Sequence, residues 1–288
     1  MSITGRAAVF GQPISHSKSP ALHLAAYAAL GVDLQYGSID AGAAEAAQLA
    51  QMLGTEPGWR GASVTMPLKQ AMVPFMDEVS ERVRRLGVLN TIVVSGEPGA
   101  IRLRGENTDV EGIVRALTDA GATRVDTVAV LGAGGTASAA TEALSLLGAT
   151  HLDFVVRTPE RARGVIELAS SLGHTTEAID VDAAADRMGG YDAVVSTLPP
   201  HAADGLPERL GLKALRAGTP LLDVAYDPWP SALGSAWSAA GGSVVGGLSM
   251  LLHQAVEQVR LFTGIRDADW PEVTNVMCDA VGLPHPIH

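Results

Sequence analysis

The stretch TVAVLGAGGTA, residues 127–137, decides the fold class of the chain. Its first five residues are apolar or β-branched, which predicts a buried strand that runs into a glycine-rich turn and a helix. Gly132, Gly134 and Ala137 fit the pattern G-x-G-x-x-G/A. In this setting the pattern lets the backbone approach the pyrophosphate of a dinucleotide at a helix N-terminus. We expect a dinucleotide site, rather than a glycine-rich turn without a ligand, formed by Gly132, Ala133, Gly134, Gly135, Thr136 and Ala137.

A strand and helix alternation continues on both sides of this stretch. A helix is predicted at 110–120, and further strands are predicted near residues 151–156, 175–179, 191–196, 220–224 and 243–245. Such an alternation is typical of an open parallel sheet with helices on both faces. Residues 110–247 are therefore predicted to form a Rossmann-like domain.

The flanking segments predict a second α/β domain. Its first helix is expected to have Ser19 as N-cap, Pro20 in the first position and Gly31 after its end. Other predicted elements are strands near 7–10, 34–39 and 61–65, and helices near 43–53, after Pro67, after Gly247 as far as about Phe262, and after Asp269. We expect two domains with a cleft between them, formed by residues 1–109 plus 248–288 and by residues 110–247.

Composition excludes several classes of protein. A net charge of −11 with scattered Lys and Arg residues argues against nucleic-acid binding. No apolar run approaches the roughly 20 residues that span a bilayer, and the first residues lack the apolar core of a signal peptide. With Cys278 as the one cysteine, we expect no intrachain disulfide, no metal site and a cytoplasmic location.

The residues after the strand at 151–156 bear on which nicotinamide dinucleotide is bound. An acid at this point would bind the ribose hydroxyls of NAD, whereas arginine accepts the 2′-phosphate of NADP. Here the chain carries Arg157, Thr158 and Arg161 and no acid at the strand tip. The alternative is that Arg157 and Arg161 are ordinary solvated surface residues. Two guanidinium groups beside a hydroxyl nevertheless favour NADP, because they can bind a phosphate from two sides.

Hydride reduction of a carbonyl requires a proton donor, because the oxygen gains negative charge. Lys69 follows the strand end Ser63, Val64 and Thr65, and Asp109 lies in a loop before a helix. Taken alone, a Lys and an Asp forty residues apart are more often a surface pair or a helix cap. They are nevertheless the candidate acid/base pair.

Several blocks of sequence resemble the shikimate dehydrogenase family. The first is similar to its G-x-P-x-x-H-S-x-S-P signature and comprises Gly11, Pro13, His16, Ser17, Ser19 and Pro20. The next blocks match its N-V-T-x-P-x-K, N-T and N-T-D-x-x-G motifs at Val64, Thr65, Pro67, Lys69, Asn90, Thr91, Asn107, Thr108, Asp109 and Gly112. Later matches include Asp223, Tyr226, Pro228, Gly246, Gly247, Met250, Gln254 and Phe262. The resemblance spans residues 7–264 in order.

The resemblance implies reduction of 3-dehydroshikimate to shikimate with NADPH, a step toward chorismate and the aromatic amino acids. Ser17 and Ser19 would bind the substrate carboxylate, Lys69 would donate the proton, and Asp109 would orient it. The ring hydroxyls would be held by Thr65, Asn90, Asp109 and Gln254, with Tyr226 near the substrate. Besides the glycine loop and arginines, cofactor contacts would come from Thr197, Gly247 and Met250.

Two positions depart from the family pattern, which usually has Asn where Ser63 and Val156 stand. One alternative is an NAD-dependent quinate/shikimate dehydrogenase, which is expected to carry an acid where Arg157 stands. Another is a non-catalytic NADP-binding homologue, against which the presence of both Lys69 and Asp109 argues. The protein is expected to be a monomer or a homodimer with a small-molecule substrate.

Overall fold

The computed structural model describes residues 3–97 and 99–286. The chain divides into two compact units. The first unit comprises residues 1–108 and 252–288, and the second unit comprises residues 109–251.

The first unit contains a six-stranded mixed sheet with the strand order β2-β1-β3-β5-β6-β4. These strands are β1 (Thr4–Gly11), β2 (Asp33–Asp40), β3 (Trp59–Val64), β4 (Glu78–Val79), β5 (Thr91–Ser95) and β6 (Arg102–Glu106). β1 is parallel to β2 and β3, whereas β5 runs antiparallel to both β3 and β6. The helices between them are α1 (Ser19–Ala29), α2 (Ala46–Thr55), α3 (Leu68–Ala71) and α4 (Glu81–Leu86).

The core of the first unit lies on the sheet, where the central strands β1 and β3 are buried almost continuously, whereas buried and more exposed residues alternate in the first half of β2 and along β6. Phe10 of β1 and Trp59 of β3 meet edge to face, with ring centroids 6.1 Å apart. Leu53, Leu68 and Ile92 are fully buried in the same cluster. Packing of these side chains holds the carboxyl ends of β1 and β3 side by side.

The second unit contains a six-stranded parallel sheet with the order β12-β11-β10-β7-β8-β9. Its strands are β7 (Thr127–Leu131), β8 (His151–Val155), β9 (Thr175–Ile179), β10 (Ala193–Ser196), β11 (Pro220–Asp223) and β12 (Ser243–Gly246). Its helices are α5 (Asp109–Asp119), α6 (Gly135–Leu146), α7 (Arg163–Ser171), α8 (Val181–Arg187) and α9 (Ala232–Ala239). This parallel sheet with intervening helices confirms the predicted α/β class. The strand order reverses direction at β7, and in sheets of this type ligands bind at such a reversal, outside the carboxyl ends of the strands, here β7 and β10.

Two helices complete the chain, α10 (Gly247–Thr263) and α11 (Trp270–Val281). α10 begins in the second unit and ends in the first, and α11 packs on α1. Short 3₁₀ turns are Ala43–Glu45, Val73–Phe75, Pro159–Ala162, Met188–Gly190 and Leu212–Ala214. Among the described residues, no helix is long and apolar enough to cross a membrane.

Two local predictions differ from the structure. Ser19 is the first residue of α1 rather than its N-cap, which is Lys18 and makes no side-chain capping bond. Instead, the Ser17 hydroxyl accepts a hydrogen bond from the Ser19 backbone N–H at 3.3 Å, so this side chain satisfies the first helical donor. The helix after Pro67 is a single turn, because the backbone of Met72 leads directly into a 3₁₀ turn at Val73–Phe75.

Candidate active site

The loop after β1 carries Ser17 and Ser19 and lies against the end of β3. Gly11 permits this contact, since a Cβ at Gly11 would clash with the Thr65 methyl group and the Met66 carbonyl. The Gln12 N–H donates to the Met66 carbonyl at 3.0 Å, and the Thr65 N–H donates to the Phe10 carbonyl at 2.9 Å. The backbone therefore holds the two predicted serines and Thr65 on neighbouring loops.

Lys69 lies in the one-turn helix α3 and is half-buried. The Leu68 N–H donates to the Thr65 carbonyl at 2.9 Å, which closes the turn between Thr65 and Lys69. The Lys69 carbonyl accepts from the Leu89 N–H at 2.9 Å. This last bond places the segment that leads into Asn90 directly beside the lysine.

Asn90 is the centre of a buried group of amides and hydroxyls. Its Oδ1 accepts from the Thr91 hydroxyl at 2.8 Å and from the Thr108 N–H at 2.8 Å. Its Nδ2 donates to the Thr108 hydroxyl at 3.0 Å and to Gln254 Oε1 at 3.2 Å. Asn90 and Gln254 lie 164 residues apart in the sequence, and the structure brings their side chains together.

Asp109 is the first residue of α5 and therefore belongs to the second unit. Its side chain is buried. It directly follows Thr108, whose backbone and hydroxyl both contact Asn90. A carboxylate in the first turn of a helix is stabilised by the exposed N–H groups there.

The glycine loop after β7 has the backbone that a dinucleotide requires. Gly132 has φ +103°, a conformation that disfavours residues with a side chain, and a Cβ there would lie 2.7 Å from the Thr197 hydroxyl. Thr197 in turn donates through this hydroxyl to the Leu131 carbonyl at 2.9 Å. Gly134 is the N-cap of α6, makes no side-chain cap and has open space where a Cβ would project. The N-terminal N–H groups of α6 are thus accessible to a pyrophosphate.

Arg157, Thr158 and Arg161 follow β8 and are all exposed. The Arg161 N–H donates to the Thr158 carbonyl at 3.0 Å, which turns the chain back on itself. Within residues 3–97 and 99–286, neither arginine forms a salt bridge or a side-chain hydrogen bond. Two unpaired guanidinium groups on one turn suit a phosphate monoester, so the residues present fit the 2′-phosphate of NADP.

The segment after β11 carries Tyr226. Asp223 holds this segment, since its carboxylate accepts from the Ser231 hydroxyl at 2.6 Å and from the Ala225 N–H at 3.3 Å. Gly247 lies against the same segment, because a Cβ there would clash with the Val224 carbonyl. Burial raises the pKa of Tyr226, with the charge of Asp227 acting in the same direction. The backbone of Val224 and Ala225, directly before Tyr226, therefore lies against Gly247, the first residue of the helix that carries Met250.

Three buried polar residues near Asn90 were not predicted as site residues: Tyr36, Ser63 and Gln258. The sequence carries a weak signal for one of them, because Gln258 lies four residues after Gln254 and so shares its face of α10. Tyr36 follows the alternation of buried residues along β2, which equally predicts an ordinary core residue.

Comparison with known proteins decides the family. A model of the shikimate dehydrogenase substrate binding domain matches residues 9–92, and one of the shikimate 5′-dehydrogenase C-terminal domain matches residues 247–277. The shikimate dehydrogenase (NADP(+)) of Rubrobacter xylanophilus is 37% identical over 266 residues, which cover 91% of this chain and 92% of that protein. The chain belongs to the shikimate dehydrogenase family.

Solved structures agree with this assignment. Shikimate dehydrogenase from Mycobacterium tuberculosis is 40% identical, with a TM-score of 0.84 over 96% of this chain and 99% of that one. Shikimate 5-dehydrogenase from Thermus thermophilus, in complex with NADP(H) and shikimate, is 29% identical, with a TM-score of 0.78 over 96% of this chain and 100% of that one. The family resemblance and the two-domain α/β fold predicted from sequence are confirmed.

Proposed function

We propose that this chain is an NADP-dependent shikimate dehydrogenase that reduces the 3-keto group of 3-dehydroshikimate to the 3-hydroxyl of shikimate, a step toward chorismate and the aromatic amino acids. The observation that carries this proposal is the bond between the Leu89 N–H and the Lys69 carbonyl. Through it, the backbone of Lys69 is tied to the residue directly before Asn90, whose buried amide contacts that of Gln254. That combination suits a polyol in which one carbonyl has to be protonated.

Hydrogen-bonding groups of the first unit match the substrate. Ser17 Oγ accepts from the Ser19 N–H, which leaves the Ser17 hydroxyl proton for the substrate carboxylate. Ser19 is proposed as the second ligand of that carboxylate, and its hydroxyl also hydrogen-bonds Tyr36 in this structure. Thr65, Asn90, Asp109 and Gln254 are the proposed ligands of the ring hydroxyls.

Proton transfer is assigned to Lys69 and Asp109. When bound, NADPH supplies the hydride that adds to the carbonyl carbon. The Lys69 ammonium group donates a proton to the carbonyl oxygen, which becomes the 3-hydroxyl, and Asp109 as an anion orients that group. In the reverse direction the neutral Lys69 amine accepts the same proton.

Cofactor choice is assigned to the turn after β8. Arg157 and Arg161, exposed and unpaired among the described residues, are proposed to bind the 2′-phosphate, with Thr158 donating its hydroxyl. Gly132, Ala133, Gly134, Gly135, Thr136 and Ala137 are proposed to hold the pyrophosphate, and Thr197, Gly247 and Met250 to contact the rest of the cofactor. The name of the R. xylanophilus relative supports NADP(+) as the cofactor.

A four-way assay tests the proposal. Purified protein is mixed with shikimate or quinate and with NADP+ or NAD+, and nicotinamide absorbance is followed. Shikimate with NADP+ should give the highest kcat/KM. Absence of turnover with every pair would contradict the enzyme assignment, and a preference for quinate with NAD+ would favour the quinate/shikimate alternative.

The setting of the enzyme is also proposed. The single cysteine supports a location in the cytoplasm. The net charge of −11 argues against a nucleic-acid partner, and no membrane partner is proposed. The protein is proposed to act as a monomer or homodimer, which light scattering on the purified protein distinguishes.

A further inference from the structure

We propose that Tyr36, Ser63, Gln258 and Thr91 form a positioning chain that orients the Asn90 carboxamide and thereby sets the affinity for the substrate. The inference rests on the proposed function, in which Asn90 and Gln254 bind the ring hydroxyls. None of the four residues is assigned a contact with substrate or cofactor. All four side chains are buried in the first unit.

The positioning chain is continuous in its hydrogen bonds. The Tyr36 hydroxyl donates to Ser63 Oγ at 2.6 Å, and the Ser63 hydroxyl donates to Gln258 Oε1 at 2.6 Å. Gln258 Nε2 donates to Thr91 Oγ1 at 2.9 Å and to the Asn90 carbonyl at 3.1 Å. The Thr91 hydroxyl then donates to Asn90 Oδ1 at 2.8 Å.

The direction of each bond follows from the one before it, because a hydroxyl has a single proton. Tyr36 donates to Ser63, so the Ser63 proton is directed to Gln258. The carbonyl of Gln258 therefore faces Ser63, and its NH₂ group faces Thr91. The Thr91 proton is left for Asn90 Oδ1, so the Asn90 NH₂ group faces Gln254.

Tyr36, the first residue of the positioning chain, is uncharged, and it also contacts Ser19, a proposed ligand of the substrate carboxylate. The Tyr36 ring stacks on His23, with centroids 3.9 Å apart and planes 17° apart. Burial lowers the pKa of His23 to about 4, against the opposing effect of its bond to the Ser19 carbonyl, so the ring is uncharged near neutral pH. Burial raises the pKa of Tyr36, whose hydroxyl also hydrogen-bonds the Ser19 side chain, and Tyr36 therefore keeps its proton and remains a donor.

The first variant is Tyr36→Phe, which removes one hydroxyl and keeps the ring. Loss of one buried hydrogen bond should raise KM and Kd for shikimate roughly two- to tenfold. KM for NADP+ and kcat should stay within about twofold. A misoriented Asn90 carboxamide would weaken binding of the ring hydroxyls equally in the ground state and in the transition state. The measurements are steady-state kinetics and calorimetric titration of the full chain with shikimate.

Tyr27→Phe is the matched control. Tyr27 lies in the same aromatic group, 6.4 Å from the Tyr36 ring centroid, and its buried hydroxyl has no hydrogen-bond partner among the described residues. Its removal should leave KM for shikimate unchanged. Equal KM values for Tyr36→Phe and Tyr27→Phe in an active enzyme would overturn the inference and leave the proposed function intact.

A double variant separates positioning from a general structural effect. Ser63→Ala breaks the positioning chain one link further on, so Tyr36→Phe and Ser63→Ala together should raise KM no more than the larger single change. Effects on KM that add, or lower melting temperatures with KM unchanged, would overturn the inference. Wild-type protein that neither binds nor oxidises shikimate would contradict the proposed function itself, and the positioning chain with it.

Discussion

Lys69 is the residue on which turnover should depend most. Lys69→Ala removes the proposed proton donor, and kcat should fall by roughly 10²- to 10⁴-fold, the usual contribution of a positioned acid. KM for shikimate should change little, because the ring hydroxyls keep their other ligands. Lys213→Ala, at an exposed position of the second unit, is the control for removal of a lysine. A raised KM with normal kcat would instead make Lys69 a substrate ligand.

Arg157 and Arg161 should decide between the two nicotinamide dinucleotides. Replacement of both by Ser removes two charge-assisted bonds to the 2′-phosphate, so KM for NADP+ should rise by about tenfold or more. KM for NAD+, which lacks this phosphate, should stay near its wild-type value. Both constants are measured by steady-state kinetics with saturating shikimate.

The control is the neighbouring arginine. Arg163 is also exposed but lies 4.0 Å from Glu167, an i,i+4 partner. Arg163→Ser should leave both cofactor constants unchanged. A similar loss of NADP+ affinity in this variant would point to the general positive charge of the turn rather than to a specific phosphate site.

At the scale of single residues, sequence motifs indicate candidate ligands but not the residues that orient them. Lys69, Asn90 and the paired serines lie in short motifs whose members are close along the chain. Tyr36, Ser63 and Gln258 are linked across 27 and 195 residues. Such pairs are defined only once β2, β3 and α10 have packed together, so no local pattern reveals them.

Among the elements, the glycine turn between β7 and α6 is expected to tolerate change least. Gly132→Ala puts a side chain at φ +103° and against Thr197, and should lower the free energy of unfolding by about 1–3 kcal/mol. Affinity for NADP+ should fall as well, because the turn has to shift away from the pyrophosphate. Thermal unfolding and calorimetric titration with NADP+ measure the two effects.

Gly173→Ala is the matched control for backbone strain. Gly173 has φ +89°, lies in the second unit and has open space at the Cβ position. Its replacement should lower stability while NADP+ binding stays normal. Loss of binding in both variants would mean that strain anywhere in the unit, rather than the turn itself, disturbs the cofactor site.

Elements were predicted well where one pattern persists and poorly where it changes. The second unit repeats a buried strand and a helix, and its parallel sheet agrees with the prediction. In the first unit, β4, β5 and β6 were missed. β4 has two residues, and β5 and β6 run antiparallel to each other without an intervening helix. Short strands outside the alternation carry no periodicity strong enough to detect.

Stability of the whole molecule in acid should depend on His23. Its Nδ1 donates to the Ser19 carbonyl at 2.9 Å, and its buried Nε2 has no partner among the described residues. The pKa falls from 6.5 to about 4 on burial, so between these values the unfolded chain binds a proton that the folded chain does not. The free energy of unfolding should therefore fall as pH drops from 6.5 to 4, by up to about 3 kcal/mol.

Urea unfolding between pH 7 and pH 4 measures this dependence. His23→Phe removes the titrating group and should flatten the pH profile, even if stability at pH 7 is lower. His201→Asn is the control, because His201 lies in an exposed turn with φ 64°, which Asn tolerates. An unchanged slope in His23→Phe would contradict the assignment to His23.

The division of the first unit between both ends of the sequence has a consequence for synthesis on the ribosome. A nascent chain that has emerged as far as residue 251 contains the whole second unit, which can fold at once. The first unit still lacks α11, which packs on α1, and the part of α10 that carries Gln254 and Gln258. Asn90 therefore acquires Gln254 and Gln258 as partners only after residue 258 has emerged, and the first unit should become resistant to proteases later than the second.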